Sequence, residues 1–329
     1  MIIVRSPLRI SIGGGGTDIP SYYQKNEGFF ISAAINKYVY VTITEPFQKG
    51  IYLKYSQIEK TNNIKKIKHG IIREVLKDEI KKNKIEITTL TDIPAKTGLG
   101  SSGSFSTALI KSIYLFNQKK IGWRELAEKA CDVEIKKLKL PCGKQDQYIS
   151  VYGGISEFSI KKNGFVNIKN LKISNETTSK LENNLLLFFT GFSRDSSSIL
   201  NEQNKKTIKN NKEIIQNLDF VKSLGHEIKK SLIKGNCDEF GKLMNEHWKY
   251  KLKRSRNMSN KTINEAYKYA IKNGALGGKL IGAGGGGFLL FYTNNPNQLR
   301  NAFLKKFEEV RFRFDYEGVK EIFWKNLMQ

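Results

Sequence analysis

Residues 94–104 read Pro-Ala-Lys-Thr-Gly-Leu-Gly-Ser-Ser-Gly-Ser. They follow a short strand pattern, Ile85–Leu90, that ends in a Thr-Asp-Ile-Pro turn. They run directly into a helix whose Phe105, Ala108, Leu109, Ile113 and Phe116 share one face of a 3.6-residue period. Glycines at 98, 100 and 103 let backbone amides approach an anion closely, and the free N–H groups at the start of the helix favour phosphate there. Hydroxyls at Ser101, Ser102 and Ser104 add donors and oxygen ligands suited to a hard cation such as Mg²⁺. The alternative reading is a Ser/Gly helix cap that binds nothing. Two better-known phosphate loops fail on context. Both Gly98–Gly103 and Gly282–Gly287 fit G-x-G-x-x-G, but a dinucleotide fold needs a second strand ending in an acidic residue about 20 positions on, and here the chain is helical to Phe116 and again from Trp123. A Walker A loop would need Lys-Ser/Thr after Gly103.

Working outward, Pro7-Leu-Arg9-Ile-Ser-Ile-Gly13-Gly-Gly-Gly-Thr17-Asp18 is a strand that enters four glycines and a Thr-Asp pair. A turn that only reverses the chain seldom carries four glycines, because their conformational entropy is costly, so close approach of a ligand is expected there. Gly277-Gly-Lys279-Leu-Ile-Gly282-Ala-Gly-Gly-Gly-Gly287-Phe repeats this chemistry between two strands. Its plain alternative is a flexible hairpin loop.

The remaining elements follow from periodicity and breakers. Strands are expected at Met1–Ile12, Tyr38–Thr44, Ile155–Ile160, Gly164–Ile168 and Leu185–Thr190. Helices are expected at Ile64–Lys82, Trp123–Leu138, Ser198–Leu218, Asp219–Lys234, Cys237–Lys251, Lys261–Asn273 and Gln298–Val310. The polar stretch Lys172–Asn184 reads as a boundary. A length of 329 residues favours two domains, 1–180 and 181–329.

Composition narrows the function classes. With 39% hydrophobic and 26% charged residues the balance is that of a globular protein. No apolar run approaches the ~18 residues of a membrane span. The N-terminus carries arginines within its apolar part, which reads as a strand and not a signal peptide. Cys131, Cys142 and Cys237 show no CxxC spacing, which points to a reducing, cytoplasmic compartment with neither a disulfide framework nor a zinc site. The net charge of +25 suggests anionic partners. It is mostly lysine, spread along the whole chain, whereas a nucleic-acid footprint concentrates its charge and mixes in arginine. Lysine runs such as 64–68 and 205–212 read as solvated faces.

Taken together, the three glycine segments resemble the motifs of the GHMP kinases (galacto-, homoserine, mevalonate and phosphomevalonate kinases), in the same order. The likeness spans the chain. Within that family PLRISIGGGGTDIP, GLGSSGSF, GKQDQY, TGFSRDSSSIL and GALGGKLIGAGGGGFLLFY are similar to the sugar 1-kinases that act on a heptose 7-phosphate. The galactokinase Glu-His before Thr-Asp is absent, Gly15 and Gly16 standing there instead. The resemblance implies an α+β fold of two domains, the first like ribosomal protein S5 and the second ferredoxin-like, with the site in the cleft between them.

It also implies residue roles. Asp146 in Gly143-Lys-Gln-Asp-Gln147 would be the base on the sugar hydroxyl, with Arg9 beside it. Lys96, Gly98, Leu99, Gly100, Ser101, Ser102, Gly103 and Ser104 would hold ATP, and Ser102 with Glu134 would hold Mg²⁺. Without the resemblance, Asp146 reads as a cap and Glu134 as a helix-surface residue. Gly14, Gly15, Thr17, Asp18, Gly285 and Gly286 would face the substrate. A phosphate already on that substrate calls for cations, and Arg194 and Lys251 are the candidates. His69, His226 and His247 show no metal spacing and receive no role. The expected partners are ATP and a small sugar phosphate, with a homodimer allowed and neither a specific nucleic acid nor a membrane. Alternatives are the same chemistry on L-fucose or an N-acetylhexosamine, a relative that binds ATP only as a regulatory ligand, and an RNA-binding protein with an S5-like fold. The last gives no reason for three glycine loops together with a well-placed Asp and Glu.

Overall fold

The computed structural model describes residues 1–80, 83–192, 197–209 and 211–324. Its strands are β1 (Ile2–Gly13), β2 (Gly28–Thr44), β3 (Gly50–Lys54), β4 (Ile58–Thr61), β5 (Lys84–Thr91), β6 (Ile155–Ile160), β7 (Val166–Asn170), β8 (Leu185–Phe189), β9 (Ala275–Leu280), β10 (Phe288–Thr293) and β11 (Lys320–Trp324). Its helices are α1 (Pro20–Asn26), α2 (Gly70–Glu79), α3 (Ser101–Phe116), α4 (Trp123–Cys131), α5 (Gln145–Tyr152), α6 (Asn175–Asn184), α7 (Ser197–Ile208), α8 (Lys212–Ile233), α9 (Cys237–Leu252), α10 (Lys261–Lys272) and α11 (Pro296–Phe303).

Eight strands form one sheet, ordered β11-β1-β2-β5-β3-β4, with β6 and β7 branching from β2. The branch exists because β2 is long: its first half pairs with β6, its second half with β5, and β1 runs antiparallel along it throughout. All pairings except β3 with β5 are antiparallel, so the loop at 94–104 does not belong to a parallel dinucleotide fold. From Ser6 onward every residue of β1 is buried, with α3 and α8 both packed on it, and this encloses Arg9. β8, β10 and β9 make a second, antiparallel sheet covered by α9 and α10. The chain then returns to the first sheet, where β11 pairs with β1 and the Asp315 amide donates to Ala34.

Several boundaries differ from the sequence expectation for identifiable reasons. The second long helix begins at Lys212 and not at Asp219, because the Asn211 carboxamide accepts the Ile214 N–H and caps it. Residues 175–184 are helical, capped by Ser174 and burying Thr177 and Leu181. The last helix is shorter and starts at Pro296, a proline at the first helical position. Of the stretch Ile64–Lys82, residues 81–82 lie outside the described residues; the regular helix is Gly70–Glu79, preceded by a single turn at Ile64–Lys66. After Cys131, helix α4 widens into a π-helical turn, Asp132–Lys137, a local distortion that recurs at functional sites.

The glycine loops of the two sheets interlock. A Cβ on Gly282 would meet Gly98 Cα at 2.5 Å, and one on Gly287 would meet the Thr97 carbonyl oxygen at 2.1 Å. Close packing of backbone on backbone therefore accounts for part of the glycine content that the sequence alone attributes to ligand approach. Gly287→Ala, at φ +101° and with no room for a methyl, is expected to cost about 2–4 kcal/mol. Gly122→Ala, in open space, should cost less than about 1 kcal/mol. Urea denaturation of the two variants checks this.

Candidate active site

Arg9 projects from buried β1, and Asp146 stands in the first turn of α5. The Arg9 guanidinium binds Asp146 through Nε at 2.8 Å and Nη2 at 2.7 Å, both to the same oxygen, Oδ1. Oδ2 is left with no hydrogen-bond partner among the described residues. Arg9 also donates through Nη1 to the Gly98 carbonyl, and its backbone N–H donates to Leu99. Space at this junction is scarce. A Cβ on Gly100 would meet Arg9 Cγ at 3.0 Å, and one on Gly103 would meet Asp146 Cβ at 2.6 Å. Those two glycines let the start of α3 close over the ion pair.

The segment 94–104 opens α3 from Gly100, which has a left-handed φ of +77° and no side chain to cap the first turn. Its residues divide by exposure. Lys96 and Ser102 are exposed, whereas Leu99 and Ser104 are buried, and the Ser104 hydroxyl is committed to the Pro7 carbonyl at 2.7 Å. Ser102 donates to Glu134, which is only 2% exposed, so its reading as a helix-surface residue is corrected. The π-helical turn carries Glu134 inward, where Gln147 Nε2 donates to its other oxygen at 2.9 Å. Burial raises the Glu134 carboxyl above its usual range, opposed by the Ser102 and Gln147 hydrogen bonds. Glu134 forms no ion pair among the described residues.

Asp18 anchors the far side. It accepts the Gln145 N–H at 3.1 Å, placing a carboxylate at the start of α5, and the Gly16 N–H at 3.2 Å. A Cβ on Gly143 would lie 1.9 Å from its Oδ2, so glycine is required there. Burial, then the charge of Asp146, raises its carboxyl. Thr17 is fully buried, and its hydroxyl lies within hydrogen-bonding distance of the Gly14 and Phe29 carbonyls, which holds the loop and not a ligand.

A pocket opens between these elements, lined among others by Arg9, Ser11, Gly15, Asp18, Gln145, Asp146, His247, Lys251, Arg254, Lys279 and Gly282. Of the expected substrate contacts, Gly15, Asp18 and Lys251 line it. Gly14, Thr17, Gly285 and Gly286 do not, and Gly285 donates its N–H to Met258. Arg194 lies outside the described residues. Arg254, Lys279 and His247 also line it, and the sequence reading gives them no role. Arg254 and Lys279 were hidden by the abundance of basic residues, and His247 by its lack of metal spacing. The available signal was Lys279 within a run of glycines and apolar residues, a poor setting for a solvated charge.

The electrostatics of the pocket are one-sided: four cationic side chains face two carboxylates, and only Arg9 is paired. Burial, reinforced by Arg254 and Arg9, lowers Lys251 to about 7. Burial and its cationic neighbours push Lys279 well below its ordinary range, and Arg254 falls to about 10. His247 is pushed well down by burial and by Lys279, so its ring is neutral.

The chain carries the GHMP kinases N terminal domain at residues 62–154 and the GHMP kinases C terminal domain at residues 228–309. It belongs to the GHMP kinase family, and it is a phosphotransferase with an alcohol group as acceptor. It is 30% identical over 97% of its length, and 98% of the relative's, to a D-glycero-alpha-D-manno-heptose 7-phosphate kinase of Campylobacter jejuni. It is 26% identical over 94% of its length to an L-fucokinase/L-fucose-1-P guanylyltransferase of Bacteroides fragilis, of which it covers 37%. Among solved structures, a D-glycero-D-manno-heptose 1-phosphate kinase from Bacteroides thetaiotaomicron superposes with a TM-score of 0.81 at 25% identity, covering 99% of both chains. The two-domain α+β expectation is thereby met.

The lowered Lys251 fixes a sign for pH dependence. Between about 7 and its ordinary 10.5 the unfolded chain holds a proton there that the folded chain lacks. Stability therefore rises with pH across that window and gains nothing from this residue below it. Lys251→Met should flatten the rise, as measured by urea denaturation at constant ionic strength.

Proposed function

We propose that this kinase transfers the γ-phosphoryl group of ATP to the anomeric hydroxyl of D-glycero-D-manno-heptose 7-phosphate. The product is the 1,7-bisphosphate, made in the cytoplasm for the nucleotide-activated heptose of a bacterial surface polysaccharide. The observation that carries the chemistry is Asp146, with Oδ1 engaged by Arg9 and Oδ2 left to receive a proton. The heptose is supported by two relatives named for heptose phosphate kinases, each matching nearly the whole chain. The surplus of positive charge in the pocket favours an acceptor that already carries a phosphate over free L-fucose.

In this reading Asp18 accepts hydrogen bonds from sugar hydroxyls with the lone pairs that Gly16 and Gln145 leave unused. The anomeric oxygen attacks the γ-phosphorus as the bond to ADP breaks, and its proton passes to Asp146 Oδ2. Arg9 orients Asp146 through its contacts to Oδ1 and adds positive charge beside the transferring group. Backbone amides of residues 98–103 at the start of α3 cradle the nucleotide phosphates, with Lys96 exposed at the rim. Ser102 and Glu134 suit Mg²⁺, being hard oxygen donors with a buried carboxylate that has only neutral partners. When bound there, the ion would neutralise phosphate charge.

Asp146→Ala should lower kcat by about 10²–10⁴-fold with ATP binding retained in an equilibrium titration. Turnover close to that of the wild type would remove Asp146 from the role of base. Glu134→Gln is expected to raise the Mg²⁺ concentration needed for half-maximal rate, and an unchanged requirement would argue against the metal assignment.

A further inference from the structure

Three buried basic side chains of the pocket have no carboxylate partner. Lys251, Arg254 and Lys279 are each under one-tenth exposed, and none lies within ion-pair distance of a carboxylate among the described residues. Holding such groups protonated without a partner is expensive, so a fold that keeps three of them together has a use for them, which an anion that restores their protons would supply.

Their hydrogen bonds are also incomplete. Lys251 Nζ donates to the Leu280 carbonyl at 2.7 Å and to that of Gly282, which leaves one N–H when the amine is protonated. Lys279 Nζ donates to the Ile12 carbonyl at 2.7 Å and faces His247 Nδ1 at 3.0 Å, again leaving one. With Nδ1 accepting, the proton of the neutral His247 ring resides on Nε2, which is buried without a partner. Arg254 uses Nε on Asn217 and Nη1 on the Gly15 carbonyl, while Nη2 is buried and unpartnered. The four groups rise from α9, the turn after it and β9, where backbone contacts fix them.

Such a set matches a tetrahedral dianion, whose several oxygens only accept. The pocket also contains Asp146 and Asp18 and is lined by none of residues 96–104, so the cluster opens on the side of the acceptor contacts. We propose that Lys251, Arg254, Lys279 and His247 form the subsite for the phosphate that the acceptor already bears, and so select phosphorylated over free sugars. This rests on the reading of the acceptor as a sugar phosphate.

The test uses the full chain. Wild-type protein is melted with increasing inorganic phosphate, with chloride at matched ionic strength as control, and phosphate should raise the melting temperature where chloride does not. Lys279→Met and, separately, Arg254→Gln should abolish that rise and increase KM for heptose 7-phosphate by about 30-fold or more, leaving KM for ATP unchanged. If neither variant folds, the wild-type titration is repeated with ADP saturating the loop at the start of α3, and loss of the phosphate-specific rise under ADP overturns the subsite. Absence of a phosphate-specific rise overturns the subsite. So does a folded Lys279→Met with wild-type KM for heptose 7-phosphate, a result that leaves the kinase reading intact. Conversely, a phosphate-specific rise lost in the variants, with no turnover of heptose 7-phosphate, keeps the subsite and discards the heptose.

Discussion

The Arg9–Asp146 ion pair is the contact on which the rest of the site depends. It joins β1 of the large sheet to the first turn of α5, and the same guanidinium holds the Gly98 carbonyl of the glycine loop. Three segments far apart in sequence are fixed at once, so Asp146 and the loop at the start of α3 keep one relative position. Gly100 and Gly103 are consequences of this geometry, since any side chain there would strike Arg9 or Asp146.

Around this pair the protein separates two electrostatic tasks. On the side of α3, a buried glutamate and a serine offer oxygen without a cationic partner, which suits a metal ion. Across the ion pair, lysine and arginine groups sit without carboxylates, which suits an anion. The depressed Lys251 and Lys279 show the cost of keeping like charges together in a buried place. A bound dianion would reverse that shift by favouring the protonated amines.

Much of this was legible in the sequence, and what was missed follows a pattern. Asp146, Arg9, Ser102 and Glu134 stand in compact local motifs, and the structure brings them together as two adjoining pairs. The chain ends of α8 and α11 were misjudged because Asn211 and Pro296 act locally, where a periodic pattern does not look. Arg254 and Lys279 were missed because burial of a charge is a tertiary property, and a lysine-rich chain offers no contrast against which one buried lysine can be seen. Thr17, by its motif a sugar ligand, spends its hydroxyl on Gly14 and Phe29. That commitment becomes visible only when β2 is laid beside the loop.

In the proposed reaction this site builds an anomeric phosphate on a sugar that already carries one. The most direct measurement is ³¹P NMR of the product formed by the purified protein from Mg-ATP and D-glycero-D-manno-heptose 7-phosphate, beside a panel of free sugars. A second phosphorus signal, coupled to the anomeric proton, is expected with heptose 7-phosphate and none with the free sugars. A product phosphate away from the anomeric carbon, or turnover confined to unphosphorylated sugars, would contradict it.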